Sequence, residues 1–147
     1  MIPPLDGLGR LPPGIHPATW DEVAAAFGGT AWRDRLLSGL HQAITSLKRA
    51  GGGLVYIDGS FVTAKTDPGD FDACWEEVGV DPNLLDLTLL DFSNKRAAQK
   101  AKFGGELFPA SIPADPSGIS FLRFFQVDRA TGDAKGIVAI DLRGWQP

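Results

Sequence analysis

Two aspartates, Asp70 and Asp72, stand one residue apart at the head of an apolar run, Asp70-Phe71-Asp72-Ala73-Cys74-Trp75. If residues 70–75 form a strand, side chains alternate with period 2 and both carboxylates share one face. Separated from Asp70 by nine residues, an earlier apolar run, Val55-Tyr56-Ile57-Asp58, ends at Gly59-Ser60. Paired carboxylates are oxygen ligands suited to a hard divalent cation such as Mg²⁺. Glycine lets a phosphate approach the backbone, and serine adds a hydroxyl contact. Amides at the head of a helical turn receive phosphate oxygens. The chemistry open to these residues is to hold a metal ion and a phosphate tail side by side. One or two Mg²⁺ ions so held neutralise charge on a phosphoryl centre and on the oxygen attacking it. Lys65, in the connector, could reach a phosphate or stand as a solvated loop lysine.

The surrounding elements must position that pair. Thr19-Trp20-Asp21-Glu22 is a capping box that predicts a short helix through Phe27, stopped at Gly28-Gly29. A longer helix is expected over residues 32–49. Leu36, Leu37, Leu40, Ile44 and Leu47 form its apolar stripe, with Arg33 and Arg35 among the residues on the other faces. Gly51-Gly52-Gly53 ends it as a link into a buried strand over 54–57. Gly59-Ser60 opens a turn or one-turn helix to about Ala64, and Asp67-Pro68-Gly69 is turn chemistry. Residues 84–90 are too leucine-dense to choose a period. Residues 95–102 read as a helix ending at Gly104-Gly105, followed by a proline-bearing loop. Residues 119–127 and 136–142 read as a hairpin around Thr131-Gly132-Asp133. The fold class expected is α+β, with α/β-like character: a mixed sheet of about four or five strands with helices packed on it.

The chain has 147 residues, which predicts one domain able to bury a core unaided. Residues 1–18, with five prolines, read as an extended arm packed along the domain or along a second subunit, so a homo-oligomer is an open expectation. Residues 19–147 are expected to form the single domain. The single cysteine, Cys74, reads as a small buried hydrophobe, and no Cys/His cluster offers a zinc site. His16 and His41 stand apart and read as surface or packing residues. No apolar run is long enough to span a membrane and no secretory leader is recognisable, so a cytoplasmic location and no membrane partner are expected. The net charge of −4 gives no global pull toward nucleic acid. That balance, and the lack of a basic-aromatic stripe, count against a plain RNA-binding domain.

Tyr56-Ile57-Asp58-Gly59-Ser60, nine residues, then Asp70-Phe71-Asp72-Ala73-Cys74 resembles the signature of the polymerase-β-like nucleotidyltransferase superfamily. That signature is an apolar strand, Gly-Ser, a connector, and Asp-apolar-Asp in a second apolar strand. In size the chain is most similar to the minimal nucleotidyltransferases, including those of bacterial toxin–antitoxin pairs. The likeness covers roughly residues 32–76. It implies a transferase that moves a nucleotidyl group from an NTP to a protein or RNA hydroxyl. Asp70 and Asp72 would be the catalytic, Mg²⁺-binding residues, and Gly59 and Ser60 would hold the phosphates. The resemblance also implies a third carboxylate on a neighbouring strand. Asp86, Asp91 and Asp141 are the candidates, or the position is lost and Arg123 stands in it. The alternative reading is a non-catalytic partner of the same fold, an antitoxin or phage-defence component. Its partner would be a toxin or another defence protein, met through the arm, the C-terminal hairpin or Trp145.

Overall fold

The computed structural model describes residues 1–147. The elements run β1 (Gly14–Pro17), α1 (Trp20–Phe27), α2 (Ala31–Arg49), β2 (Leu54–Asp58), β3 (Phe71–Trp75), α3 (Ser93–Phe103), β4 (Gly105–Pro109), α4 (Phe121–Phe124) and β5 (Gly136–Asp141). Single 3₁₀ turns occupy Ser60–Val62 and Leu87–Leu90. The five strands form one mixed sheet in the order β1-β5-β2-β3-β4. β2 runs antiparallel to both β3 and β5, while β1–β5 and β3–β4 are parallel. This is an α+β fold of the strand number expected.

Period-2 alternation divides the sheet into two faces. Val55, Ile57, Phe71, Ala73, Trp75, Leu107, Val138 and Ile140 point into the main core, where they meet the apolar stripe of α2. Tyr56, Cys74, Phe108, Ile137 and Ala139 point the other way, into a smaller aromatic core that includes Phe125. The capping box of α1 is formed: Thr19 accepts from the Glu22 amide, and the Glu22 carboxylate accepts from the Thr19 amide at 3.0 Å. No helix is long and apolar enough to cross a membrane.

Several expectations are corrected. Residues 119–127 contain no strand; α4 lies there, and the expected hairpin shrinks to one bridge, Val127 to Ala134. The spacing of Phe121, Phe124 and Phe125 is helical, and Ser120 caps the turn by accepting from the Arg123 amide. The loop expected after Gly105 begins instead as the edge strand β4. Buried Gln99 supports that edge: its Oε1 accepts from the Leu107 amide at 2.8 Å, and its Nε2 donates to the Leu89 carbonyl. The proline-rich segment adds β1 to the sheet and buries Leu11. Trp145 packs against Trp20 and His41, so it already has a partner within the chain.

Arg33, expected on a solvated face of α2, is 6 % exposed. Its guanidinium donates to the carbonyls of Phe27, Phe61, Thr63 and Lys65 at 3.0, 2.7, 2.9 and 2.5 Å. It thereby ties the connector after Gly59-Ser60 to the first turn of α2. Trp32 does the same further along: its Nε1–H donates to the Pro68 carbonyl at 2.5 Å, just ahead of Asp70.

Candidate functional site

β2 and β3 bring the sequence-predicted residues together. Asp58 and Asp72 are directly paired across the antiparallel β2–β3 ladder, and Asp72 and Glu106 across the parallel β3–β4 ladder. Asp72 alternates with Phe71 and Ala73, both in the main core, so its side chain leaves by the opposite face. The parity of β2 and β4 puts Asp58 and Glu106 on that face too. The result is a row of three carboxylates across three strands. Like charges set directly opposite one another are destabilising unless offset.

Two of the three are offset. The Lys135 ammonium lies 3.2 Å from Asp58 Oδ1. The contact is an ion pair rather than a well-aligned hydrogen bond, since Oδ1 is otherwise without a hydrogen-bond partner. Glu106 is held by Lys100 at 2.9 Å and by Arg96 at 3.4 Å. Asp72 has no such partner. Burial, then the charges of Asp70, Glu106 and Asp58, push its carboxyl up to about 7. Burial also raises Asp70, with Glu106 adding to the effect.

A cleft of about 260 Å³ opens over the row. Asp58, Asp72 and Glu106 line it, as do Lys135 and Arg129 and the ring faces of the smaller core. Arg129 lies over the Phe124 ring at 4.7 Å and Arg96 over Phe108 at 5.6 Å. Arg96 is presented from an unusual turn: Asn94, Lys95 and Arg96 have φ of 50°, 54° and 61°. Each non-glycine residue in that left-handed region costs about 1 kcal/mol. The cleft thus combines carboxylates, cations and aromatic rings, the three kinds of group that meet the metal, the phosphates and the base of a nucleotide.

Gly59 lines this cleft, at φ +84°. A Cβ there would lie 2.5 Å from Asp72 Oδ2. The glycine is therefore needed both for its backbone angle and for the approach of the turn to the carboxylate. Gly59→Ala is expected to cost about 2 kcal/mol in urea unfolding, from the left-handed angle and the overlap together. An unchanged urea midpoint would contradict this.

The other sequence-predicted residues fall differently. Ser60 heads the 3₁₀ turn, and its carbonyl accepts from the Thr63 hydroxyl; it does not line the cleft. Asp70 sits just before β3 and lines a neighbouring groove instead of the cleft. None of the third-carboxylate candidates joins the row. Asp86 pairs with Lys102, Asp91 accepts from the Ser93 hydroxyl and amide, and Asp141 pairs with Arg143. Asp141 is opposite Leu54, at the far end of β2 from Asp58. Arg123 belongs to α4 and to no strand. Glu106 holds the neighbouring-strand position. Its signal was the apolar triplet Leu107-Phe108-Pro109 behind Gly104-Gly105, too short to register as a strand.

The donor set fits a hard divalent ion in chemistry: every candidate ligand is a carboxylate oxygen, and Asp72 has no hydrogen-bond partner, the Lys135 charge only partly opposing the upward push of burial and its acidic neighbours. No group of three His, Cys, Asp or Glu side chains converges to hold an ion. Glu106 is drawn instead to Arg96 and Lys100.

Fold and site define an α+β protein with a carboxylate row at the sheet's open face. The chain belongs to a family of unknown function (DUF6932), whose model matches residues 3–141. No curated protein and no solved structure matches it.

Proposed function

We propose that the protein is a Mg²⁺-dependent nucleotidyltransferase that moves a nucleotidyl group from an NTP to a hydroxyl of RNA or protein. The observation that carries this reading is Glu106, in register with Asp72 on the strand beside it. It stands where the superfamily resemblance implies a third carboxylate. Asp72 would hold the metal, with Asp70 turning in from the head of β3 and Glu106 able to join once released from Lys100 and Arg96. A bound Mg²⁺ supplies charge neutralisation at the α-phosphate.

The chain's own residues do the rest. The backbone at Gly59 takes phosphate oxygens, and Lys135 and Arg129 meet the charge of the departing pyrophosphate. The phenylalanine rings of the cleft offer faces to the base. The acceptor oxygen attacks the α-phosphorus, and a P–O bond forms as the bond to pyrophosphate breaks. The hydroxyl proton leaves to a carboxylate of the row. This chemistry fits a cytoplasmic setting, where NTP and Mg²⁺ are abundant.

A second reading, a non-catalytic partner protein of a toxin–antitoxin or phage-defence pair, is favoured by one observation. Asp58 and Glu106 are already satisfied by cations of the same chain. Titration of the purified protein with NTP, with and without Mg²⁺, separates the two. Mg²⁺-dependent NTP binding is the expected result. Absence of NTP binding, together with a stable protein partner on pull-down, would establish the second reading instead.

A further inference from the structure

Half of the large apolar side chains that stay exposed, five of ten, belong to one stretch, residues 78–92. Its leucines divide by position. Leu85 and Leu89 enter the main core, while Leu84 and Leu87 are 63 % and 75 % exposed and Leu90 is exposed as well. Leu87 and Leu90 stand at the two ends of the 3₁₀ turn, where a spacing of three sets side chains one above the other. Leu84 precedes them by the same spacing. Phe92 follows, exposed yet stacked at 5.9 Å on Phe108, a ring of the carboxylate cleft. The apolar row therefore runs up to the rim of that cleft.

The row is not a loose loop. The Asp81 amide donates to the Ala50 carbonyl at 2.7 Å, the Asp86 amide to the Ser46 hydroxyl at 3.1 Å, and the Gln99 side chain to the Leu89 carbonyl. Asp86 also pairs with Lys102. Leu84 and Leu87 are held outward by neighbours that are themselves anchored. An exposed leucine adds little to folding, because its side chain meets water in both states. Single apolar residues on a surface are ordinary, but a row of them on an anchored backbone marks a contact surface.

The charge around the row says what would cover it. Residues 76–92 carry five acids and no basic residue. Asp81 and Asp91, at either end of the leucines in sequence, bond only to groups of their own turns, the Asn83 amide and the amide and hydroxyl of Ser93. Cations stand at the margins: Lys102 is taken by Asp86, Arg49 shares a depression with Leu84 on the α2 side, and Lys95 follows beyond Phe92. Nucleic acid or an anionic lipid surface would be repelled here. A second copy laid face to face would set these carboxylates against their own equivalents, since a two-fold contact joins like to like.

We propose that residues 84–92 form a docking face for a basic amphipathic helix of another protein. The apolar side of that helix lies on Leu84, Leu87 and Leu90, and its lysines or arginines meet Asp81 and Asp91. The docking face rests on neither reading of the cleft, since a transferase and a non-catalytic partner protein could both use it.

The test is fluorescence anisotropy of the full chain with a labelled peptide of about 18 leucines and lysines spaced to give one apolar helical face, and with a scrambled peptide of the same composition. The amphipathic peptide is expected to bind at least about tenfold more tightly than the scrambled one, and to weaken as salt rises from about 50 to about 200 mM. Leu84→Ser with Leu87→Ser, at positions whose exposure spares the fold, should weaken binding at least about tenfold. Asp81→Asn with Asp91→Asn should weaken it about threefold and flatten the salt dependence. Leu8→Ser, which removes a comparably exposed leucine elsewhere, should leave it unchanged. No preference for the amphipathic peptide, or equal binding by the Leu84 and Leu87 double variant, overturns the proposal. So does sedimentation that finds the wild type dimeric and the double variant monomeric, which would assign the face to a second copy. If the peptide binds and NTP does not, the docking face stands and the enzymatic reading fails. If NTP binds with Mg²⁺ and the peptide does not bind, the reverse holds.

Discussion

Replacing Asp70 and Asp72 together by asparagine is expected to abolish transfer of label from NTP and to make the protein more stable than wild type at pH 8. The two effects share one cause. Burial and the neighbouring carboxylates push the Asp72 carboxyl from its ordinary 3.8 up to about 7 in the fold. Between about pH 4 and pH 7 the unfolded chain has lost this proton while the folded chain keeps it. The folded state then binds more protons, so stability falls as pH rises through that window. Above about pH 7 the folded carboxylate is charged too, and the cost is complete. Below about pH 4 both states are protonated and there is none. The full difference corresponds to about 4 kcal/mol, which solvent at this half-buried position reduces to about 2 kcal/mol. Asparagine removes the charge and with it the cost. The stability gain should thus be largest at pH 8 and vanish near pH 4, which thermal unfolding across that range would read. Mg²⁺ should raise the melting temperature of the wild type at pH 8 and leave the double variant unmoved. Labelling that survives in the double variant, or a variant less stable than wild type at pH 8, would refute the account.

The second large effect is expected at Arg33. Burial lowers its pKa, yet no carboxylate faces it; four carbonyls do. Removing a donor from buried acceptors exposes their desolvation, about 1–3 kcal/mol for each carbonyl that water cannot reach. The bonds to Phe27 and Phe61 are buried, while those to Thr63 and Lys65 lie nearer solvent. Arg33→Ala should therefore cost about 4 kcal/mol, read as a lowered urea midpoint at unchanged slope. Arg33→Lys should recover part of that, since an ammonium has three donors to offer and not five. The same change frees residues 61–65 and with them the Gly59-Ser60 turn. NTP affinity should fall even at temperatures where the variant stays folded. A loss under about 1 kcal/mol would mean that water replaces the guanidinium.

The legible parts of the molecule were those with strong local signals. Thr19 and Glu22 announced α1, and the leucine spacing announced α2. The alternation around Asp72 placed that side chain on the face away from the helices. What stayed hidden depended on partners distant in sequence. Glu106 gains its meaning only from its register with Asp72, and nothing local to residues 105–109 states that register. Arg33 looked solvated because three of its four acceptors lie on a connector folded back over α2, and the fourth at the end of α1. The phenylalanines of residues 121–125 read as strand because aromatic content favours strands. The ring of Phe108 beneath them decided for a helix, with Phe108 and Phe121 stacked at 4.0 Å. Asp70 and Asp72 were expected to act on one cavity. The structure gives Asp72 to the cleft and Asp70 to the groove beside it, because β3 begins only at Phe71.

The pairing of β1 with β5 has a consequence for how the molecule is made. Gly14 is in register with Gly136, nearly the whole chain away. The antiparallel pair β2 and β3 is joined by a short connector, held by Arg33, and can close early. β1 cannot pair until β5 has docked against β2, and that contact carries a large loop-closure entropy. During synthesis the segment before α1 must wait, unpaired, until the last strand has emerged. The amino terminus is thus the last strand able to pair, and until then the β5 edge it covers stays open.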